Sequence, residues 1–193
     1  MNYHYTEVDF ERPSLLFRFE DMLKGYLGFL FYNPFLSLFN LKGNENVLDF
    51  GSGGGAGTRC ILDKLNPGGS VTCIDSSAYW MNRARKRLKK YRNVRFAQGD
   101  IRSLDIPDLS FDVISIIHVI HDIPPVERES IIQSLGKKLK TSGALFVCEP
   151  TRESHGMAVE EIRTHMDKAD LREVRFINKK SSFIGQYERK NSD

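Results

Sequence analysis

The residues best suited to chemistry form a glycine-rich segment, Gly51 to Gly57, directly after the short apolar segment Val47-Leu48-Asp49-Phe50. Glycine lacks a Cβ atom and readily adopts positive φ, so such a turn lets backbone N–H groups come close to a bound ligand. In an open α/β sheet, a turn after the first strand lies at the carboxyl edge, where ligands bind. The segment therefore predicts a cofactor site without specifying the cofactor.

Two glycine-rich sequence patterns that bind phosphate groups can be compared with this segment. Gly51, Gly53 and Ala56 satisfy the G-x-G-x-x-G/A pattern of dinucleotide-binding folds, so an NAD-dependent enzyme is one interpretation. A P-loop is excluded, because no Lys-Ser/Thr pair follows the glycines.

The elements that must position this turn alternate along the chain. Apolar segments and turn signals predict strands at 47–50, 71–74, 94–97, 112–117, 144–148, 174–177 and 183–187. Helices are predicted between them, at 58–65, 78–91, 127–140 and 157–169. Strands that alternate with helices of this length indicate a parallel sheet with helices on both faces.

The N-terminal region differs in character from the rest. Apolar residues at helical spacing predict an amphipathic helix over 14–31, and Pro34 is expected to break the helix at Asn33, before a second apolar segment, 35–41. The 17 residues from Gly25 to Leu41 carry no charge. They are too few and too interrupted to span a membrane, which takes about 20 apolar residues.

Bulk composition places the chain among globular proteins. The 193 residues are 40% hydrophobic and 27% charged, and the net charge of +3 does not by itself favour nucleic acid. Three cysteines in no metal-binding spacing suggest reduced, mostly buried thiols. Since the N-terminus also lacks the features of a signal peptide, a cytoplasmic protein is expected.

Five segments in order resemble the motifs of the class I, Rossmann-like S-adenosylmethionine-dependent methyltransferases. They are VLDFGSGGG at 47–55, VTCIDSSAYWMNRAR at 71–85, VRFAQGDI at 94–101, FDVISIIHVIHDI at 111–123 and GALFVCEP at 143–150. An NAD-binding fold would explain the glycines and Asp75, but it has no particular use for Asp49 or for the Gly99-Asp100 turn.

The resemblance implies an α/β fold, a Rossmann-like three-layer α/β/α sandwich around a mostly parallel seven-stranded sheet. It implies an N-terminal helical extension or lid at 1–42 and an S-adenosylmethionine-binding domain at 43–193. The cofactor would be S-adenosyl-L-methionine, which leaves as S-adenosyl-L-homocysteine.

The resemblance also assigns roles to residues that follow the first three strands. Asp75 would accept hydrogen bonds from the two ribose hydroxyls, or it could instead cap the helix that starts near Ala78. Asp100 would accept from the adenine amino group beside the Ile101 backbone, or it could be a turn aspartate. Trp80 would stack on the adenine, or it could belong to the core.

The remaining predicted contacts surround the methionine part of the cofactor. Asp49 would orient the glycine turn and face the ammonium group, directly or through water. Ile117 and His118, after the fourth strand, would line the methionine end. The glycine turn and the end of the second strand complete the predicted set, with Gly51, Ser52, Gly53, Gly55 and Ser76.

A histidine after the fourth strand could also deprotonate an acceptor near neutral pH. His121 is the one candidate for this catalytic role, although a histidine here is often only structural. A metal site formed by His118, His121 and Asp122 is not expected, because no further ligand cluster is visible in the sequence. Methyl transfer from a sulfonium chiefly needs alignment and exclusion of water, so it does not require an acid or base.

The methyl acceptor is predicted to be a small molecule. The aromatic residues of the N-terminal region favour a lid that packs on the sheet edge and covers the cofactor. They would also suit a lipophilic, quinone-like acceptor or a peripheral contact with a membrane. Seven basic residues between Arg83 and Arg92 are more typical of a solvated helix face than of a nucleic-acid site. A monomer or homodimer is expected, and a non-catalytic cofactor-binding regulator or partner subunit is the alternative function.

Overall fold

The computed structural model describes residues 3, 5 and 8–190. The chain forms two compact units, Asp9–Asp100 and a second unit that combines Met1–Val8 with Ile101–Asp193.

The unit Asp9–Asp100 contains three parallel strands in the order β3-β2-β1. They are β1 (Asn46–Phe50), β2 (Ser70–Asp75) and β3 (Val94–Gln98). Phe50 lies opposite Ile74 and Asp75 lies opposite Gln98, so the three strands end together. The glycine turn, Asp75 and the Gly99-Asp100 turn are therefore placed along one carboxyl edge.

Two helices connect these strands. Helix α2 (Ala56–Leu62) begins directly after Gly55, whose φ of 78° favours glycine. Helix α3 (Ala78–Arg87) is capped by Ser77, whose Oγ accepts a hydrogen bond from Trp80 N at 3.2 Å. It is shorter than the predicted helix over 78–91, because the last regular turn ends at Leu88.

Helix α1 (Leu15–Leu36) precedes the first strand, and a short 3-10 turn (Ser37–Phe39) follows it. The prediction that Pro34 ends the helix at Asn33 is wrong, because the helix continues through Pro34 to Leu36. Its backbone departs from helical geometry earlier, at Leu27. Proline within a helix loses one backbone hydrogen bond and crowds the carbonyl four residues earlier, but Phe35 and Leu36 in the same turn are 4% and 1% exposed. Burial of these two side chains offsets the lost bond.

The second unit contains four long strands in the order β4-β5-β8-β7. Strand β4 (Phe111–Ile117) pairs in parallel with β5 (Leu139–Arg152), whereas β8 (Ser182–Arg189) runs antiparallel to both β5 and β7 (Leu171–Lys179). Strand β6 (His155–Gly156), which the sequence pattern did not predict, folds back on the end of β5. Helices α4 (Pro125–Lys138) and α5 (Val159–Lys168) complete the unit.

All seven predicted strands are present, and β6 is the addition. The three cysteines are free and buried, as expected. Among the described residues, no helix has the length and apolar character needed to cross a membrane.

Candidate functional site

The glycine turn is held in place by strand β2. Gly51 N and Ser52 N both donate to the Ile74 carbonyl oxygen, at 2.8 and 3.0 Å. Gly53 N donates to Asp75 Oδ2 at 2.8 Å. Gly53 has a φ of 50°, and a Cβ atom placed on it would meet no atom within 4 Å. The turn therefore presents open space beside a fixed backbone.

Asp75 stands at the end of β2 with each carboxylate oxygen bound to one backbone donor. Oδ1 accepts from Ser77 N at 2.9 Å, and Oδ2 accepts from Gly53 N. Burial raises the pKa of Asp75, the bonds from Ser77 and Gly53 oppose this rise, and the negative charge of Glu11 adds to it. Since Ser77 caps α3, the alternative that Asp75 is the cap is wrong.

Asp49 lies beneath the glycine turn, with 4% of its surface exposed. Its Oδ2 accepts from Thr58 Oγ1 in α2 at 2.6 Å, so the carboxylate ties β1 to the helix that follows the turn. Burial, followed by the charges of Asp49 and Asp21, raises the pKa of Tyr32 in α1. Asp49 is therefore a buried anchor of the turn.

The other predicted residues of this unit lie along the same edge. Trp80 is half-buried, with its ring edge-on to Tyr79 at 5.1 Å between centroids, so it is not a core residue. Ser76 is exposed. Asp100 follows Gly99, whose N–H donates to the Asp75 carbonyl oxygen at 3.1 Å, and this bond keeps the third turn beside the second.

These groups match what an adenosine-type cofactor needs. Each oxygen of a carboxylate can accept two hydrogen bonds, so Asp75 retains acceptor capacity for two vicinal hydroxyls after its bonds to Gly53 and Ser77. The open space at Gly53 lets a ligand approach the backbone closely. The donor and acceptor set of this edge therefore fits the cofactor that the sequence motifs imply.

Two acidic residues that the sequence analysis missed join the N-terminal region to this edge. Glu11 accepts from Ala78 N at 2.6 Å and from Tyr79 N at 3.3 Å, which satisfies free N–H groups at the start of α3. Ser77 Oγ also donates to the Phe10 carbonyl oxygen at 3.0 Å. The segment before α1 is thus bound to the helix that follows Asp75.

Asp21 is the second missed residue, and it fastens α1 to the glycine turn. Its Oδ1 and Oδ2 accept from Arg87 Nη1 and Arg83 Nε, both at 2.8 Å, and Arg87 Nη1 also donates to the Gly54 carbonyl oxygen. Burial alone would raise the pKa of Asp21, but the hydrogen bonds and charges of Arg87 and Arg83 outweigh it and hold the pKa below its usual range. These two arginines are therefore not part of a freely solvated helix face.

In the second unit, the predicted methionine-end residues follow β4. Ile117 is half-buried and pairs with Cys148. His118 has a φ of 56°, its N–H donates to the Cys148 carbonyl oxygen at 2.8 Å, and its Nε2 lies 3.7 Å from Cys148 Sγ. Ile101 is only 1% exposed, so only its backbone is suited to contact a ligand.

His121 belongs to a buried network that the sequence did not reveal. Its Nδ1 lies 2.6 Å from Oε2 of the fully buried Glu149, and its Nε2 lies 3.1 Å from His155 Nε2. Burial lowers the pKa of His121, but the hydrogen bond and charge of Glu149, with the charge of Asp122, raise it above the ordinary histidine value. The ring is held in one orientation from both nitrogens.

Comparison with known proteins decides between the cofactor classes left open by the glycine pattern. The family described as "Methyltransferase domain" matches residues 47–143, half of the chain, including the glycine turn, Asp75 and the segment around His121. The chain belongs to this methyltransferase-domain family. Membership favours the methyltransferase interpretation over an NAD-dependent enzyme.

Curated relatives of this methyltransferase-domain chain include two quinone methyltransferases. A demethylmenaquinone methyltransferase of Tropheryma whipplei is 33% identical over 114 residues, which cover 58% of this chain and 44% of the relative. A ubiquinone/menaquinone biosynthesis C-methyltransferase of Legionella pneumophila is 27% identical over 135 residues, which cover 68% of this chain and 53% of the relative. The chain thus spans about half the length of these relatives.

Solved structures support the fold of this methyltransferase-domain chain. A SAM-dependent methyltransferase from Aquifex aeolicus aligns with a TM-score of 0.70 at 22% identity, over 80% of this chain and 87% of that one. The fold is the expected Rossmann-like α/β arrangement of a central sheet flanked by helices, preceded by an N-terminal helix.

Proposed function

We propose that the protein is an S-adenosylmethionine-dependent methyltransferase that methylates a ring carbon of a lipophilic, quinone-type acceptor. The main structural support is the edge of the first unit, where Gly53 N binds Asp75 next to open space. The quinone class comes from the names of the two curated relatives. Cofactor, reaction and acceptor together form one testable proposal.

In this proposal Asp75 binds the ribose hydroxyls, Asp100 accepts from the adenine amino group and Trp80 packs on the adenine face. Asp49 keeps the glycine turn in position from below, through its bond to Thr58. Gly51, Ser52, Gly53 and Gly55 supply backbone contacts to the methionine part, and Ile117 and His118 keep the role that the family resemblance gives them. Because the carboxylates of Asp75 and Asp49 are already fixed by hydrogen bonds, these two side chains need little reorganisation on binding.

The bound cofactor would supply an electrophilic methyl group on a positively charged sulfur. Transfer would leave the electron pair of the C–S bond on sulfur, and the acceptor carbon would give up one proton to a base or to solvent. The task of the protein is alignment and exclusion of water. His121, oriented by Glu149, is the one candidate for taking up an acceptor proton.

Helix α1 exposes a largely apolar side and buries a more polar one, the reverse of an ordinary surface helix. This arrangement supports a lipophilic acceptor. The side against the rest of the unit carries Asp21, Gly25, Gly28 and Tyr32, which are buried or half-buried. Most residues of the opposite side are large and apolar, and we call this side the apolar stripe: Leu15, Leu16, Phe19, Met22, Leu23, Tyr26 and Leu30, each 39–79% exposed. Exposed apolar patches of this kind mark interaction sites.

Methyl transfer can be tested directly with two classes of acceptor. The purified protein is incubated with methyl-labelled S-adenosylmethionine and either a reduced, demethylated naphthoquinone with an isoprenoid tail or a water-soluble catechol. We expect a labelled, C-methylated product and an equal amount of S-adenosylhomocysteine with the naphthoquinol only. The Asp75→Asn variant should bind the cofactor about tenfold to hundredfold more weakly, and its turnover at subsaturating cofactor should fall with it.

Other outcomes would change the proposal in distinct ways. Turnover with the catechol but not with the quinol would contradict the acceptor class and keep the reaction. Tight binding of S-adenosylhomocysteine without turnover on either acceptor would favour a non-catalytic regulator. Failure to bind S-adenosylhomocysteine at all would overturn the cofactor assignment.

A further inference from the structure

Three side chains of the second unit bring metal-binding atoms together. One nitrogen each of His121 and His155 and one carboxylate oxygen of Asp122 all lie within 4.8 Å of one another. The two Nε2 atoms are 3.1 Å apart, and His121 Nε2 lies 3.5 Å from Asp122 Oδ2. His121 is buried, Asp122 is half-buried and His155 is exposed, so the cluster opens to solvent on one side.

Glu149 prepares His121 to act as a ligand. Its Oε1 accepts from Val119 N at 2.9 Å and from Ile120 N at 2.8 Å, so the carboxylate is fixed in position. Its Oε2 accepts a hydrogen bond from His121 Nδ1–H, which leaves the lone pair of the neutral ring on Nε2, the atom that faces His155. A carboxylate behind a histidine in this way is the usual support of a metal-binding imidazole.

The backbone around the cluster is fixed independently of these three side chains. Arg128 is 5% exposed and donates to the carbonyl oxygens of His121 and Ile123, both at 2.9 Å, while its Nη1 pairs with Glu161. On the other side, β6 holds His155 opposite Arg152. A Cβ atom at Gly156 would collide with the Pro150 carbonyl oxygen, so glycine permits this tight return of the chain.

We propose that His121 Nε2, His155 Nε2 and an Asp122 carboxylate oxygen bind one divalent transition-metal ion, with Zn²⁺ as the reference ion. Zn–N bonds of about 2.0–2.1 Å separate two ligand atoms on a tetrahedral ion by about 3.3 Å. The two imidazole nitrogens are already near this separation, at 3.1 Å. The carboxylates of Asp122 and Glu149 balance the charge of the ion.

The ligand types define the class of ion and what else it would bind. Imidazole nitrogens suit zinc, iron, nickel and copper, whereas magnesium and calcium prefer sites built from oxygen atoms. Three protein ligands leave at least one coordination position open, which is the arrangement of sites that bind water or a substrate oxygen. The ligands exclude every residue assigned to the cofactor, but His121 is shared with the proposed methyl transfer. An ion on His121 Nε2 would occupy the lone pair that proton uptake needs, so the two roles exclude each other.

Without an ion, the same geometry is a hydrogen bond between two imidazoles, in which His155 Nε2–H donates to His121 Nε2. This arrangement needs no contribution from Asp122. The two explanations therefore predict different results. A metal site binds one equivalent of metal and needs the Asp122 carboxylate, whereas a hydrogen-bonded imidazole pair does neither.

The test is a titration of the untagged, metal-free protein with Co²⁺, followed by visible absorption, and with Zn²⁺, followed by calorimetry. We expect one equivalent to bind and Co²⁺ to give an absorption spectrum that shows imidazole coordination. His155→Gln and Asp122→Asn should each weaken binding at least about tenfold, and Glu149→Gln about 10–100-fold. The matched control is His165→Gln in α5, which should bind as the parent does.

Each readout can contradict the proposal. Absence of a one-equivalent site in the folded parent protein, or equal affinity in His155→Gln and His165→Gln, would leave only the hydrogen-bonded imidazole pair. Unchanged affinity in Asp122→Asn would remove the carboxylate ligand and overturn the three-ligand site. Because His155 is exposed, circular dichroism is expected to show His155→Gln folded like the parent.

Discussion

The carboxylates of this protein show how environment assigns different roles to the same side chain. Asp49 and Glu149 are buried and fully engaged as anchors, of a turn and of a histidine ring. Asp75 differs, because its two oxygens bind backbone N–H groups and still have acceptor capacity. Burial raises its pKa. A carboxylate that has unused hydrogen-bond acceptor capacity, and whose ionised form is destabilised by burial, is suited to binding a ligand.

The raised pKa of Asp75 predicts how cofactor affinity depends on pH. In the ligand-free protein, keeping Asp75 ionised at neutral pH lowers the free energy of unfolding. This loss is recovered as the pH falls through the raised pKa and the carboxylate takes up a proton. Ribose hydroxyls donate to the ionised form, so binding lowers the pKa of Asp75. We therefore expect affinity for S-adenosylhomocysteine to weaken on acidification, beginning above the ordinary aspartate pKa of about 3.9.

Calorimetry from neutral pH into the acid range would measure this dependence. Asp75→Asn should lower the affinity at neutral pH about tenfold to hundredfold, the size expected for hydrogen bonds to a charged group, and should remove the acid-dependent loss. Asp105→Asn, at an exposed aspartate, serves as the control and should retain the parent profile. An unchanged profile in Asp75→Asn would exclude Asp75 as the group responsible.

At the scale of elements, the central feature is the attachment of α1 to the glycine turn through Asp21. Side-chain exposures of 9% for Asp21, 15% for Arg87 and 32% for Arg83 make this a largely shielded ion-pair network. In such networks, removing one partner leaves the other charges poorly solvated, which costs more than the pair itself contributes. The network thus controls where the N-terminal helix sits above the turn.

Asp21→Asn should therefore destabilise the protein by about 2–3 kcal/mol at neutral pH, which corresponds to a fall in Tm of roughly 4–12 °C. Because the pKa of Asp21 is lowered in the folded state, its stabilisation is present above the ordinary aspartate pKa and is lost as the pH falls through the lowered value. The difference from the parent should shrink accordingly in acid, as measured by thermal unfolding across pH.

Glu20→Gln provides a matched control on the same helix. Glu20 pairs with Lys24 at 2.7 Å, but their side chains are 48% and 32% exposed, so the change should stay within about 0.5 kcal/mol. If Asp21→Asn and Glu20→Gln lowered the free energy of unfolding equally, the contact between Asp21 and the glycine turn would contribute no more to stability than an exposed ion pair.

Sequence patterns predicted the elements well and the contacts between distant residues poorly. The alternation of apolar segments identified seven strands, because the apolar residues that a strand buries lie within the strand itself. Pro34 misled the prediction because the burial of Phe35 and Leu36 depends on tertiary packing. Strand β6 has only two residues, too few for a periodic signal.

The same distinction explains the candidate site. The position of the glycine turn, Asp75 and Asp100 at one edge was predictable, because each lies at the end of a strand or in the turn after it. Asp21 and His155 were not, since they meet Arg87 and His121 across 66 and 34 residues of sequence. An acidic residue within an apolar amphipathic helix was the one available signal for Asp21, because burying a lone charge is costly and implies a partner.

At the scale of the whole molecule, the apolar stripe of α1 predicts adsorption to lipid. A lipophilic quinone resides in a bilayer, and a helix with exposed Leu, Phe and Tyr side chains can insert them at the interface. The other side of α1 is committed to the glycine turn through Asp21. Adsorption would therefore bring the proposed cofactor site close to the membrane surface, where the proposed acceptor would reside.

Substituting one exposed position of the stripe tests this idea. Leu16 is 75% exposed, so Leu16→Glu should leave folding and S-adenosylhomocysteine affinity unchanged. Loss of one inserted leucine, worth about 1.5–3 kcal/mol, should weaken cosedimentation with phospholipid vesicles at least about tenfold. Val126→Glu, at a residue 91% exposed at the start of α4, is the control and should bind vesicles as the parent does. If the parent protein does not bind vesicles but forms a dimer that Leu16→Glu dissociates, the apolar stripe is instead a contact between two copies of the chain.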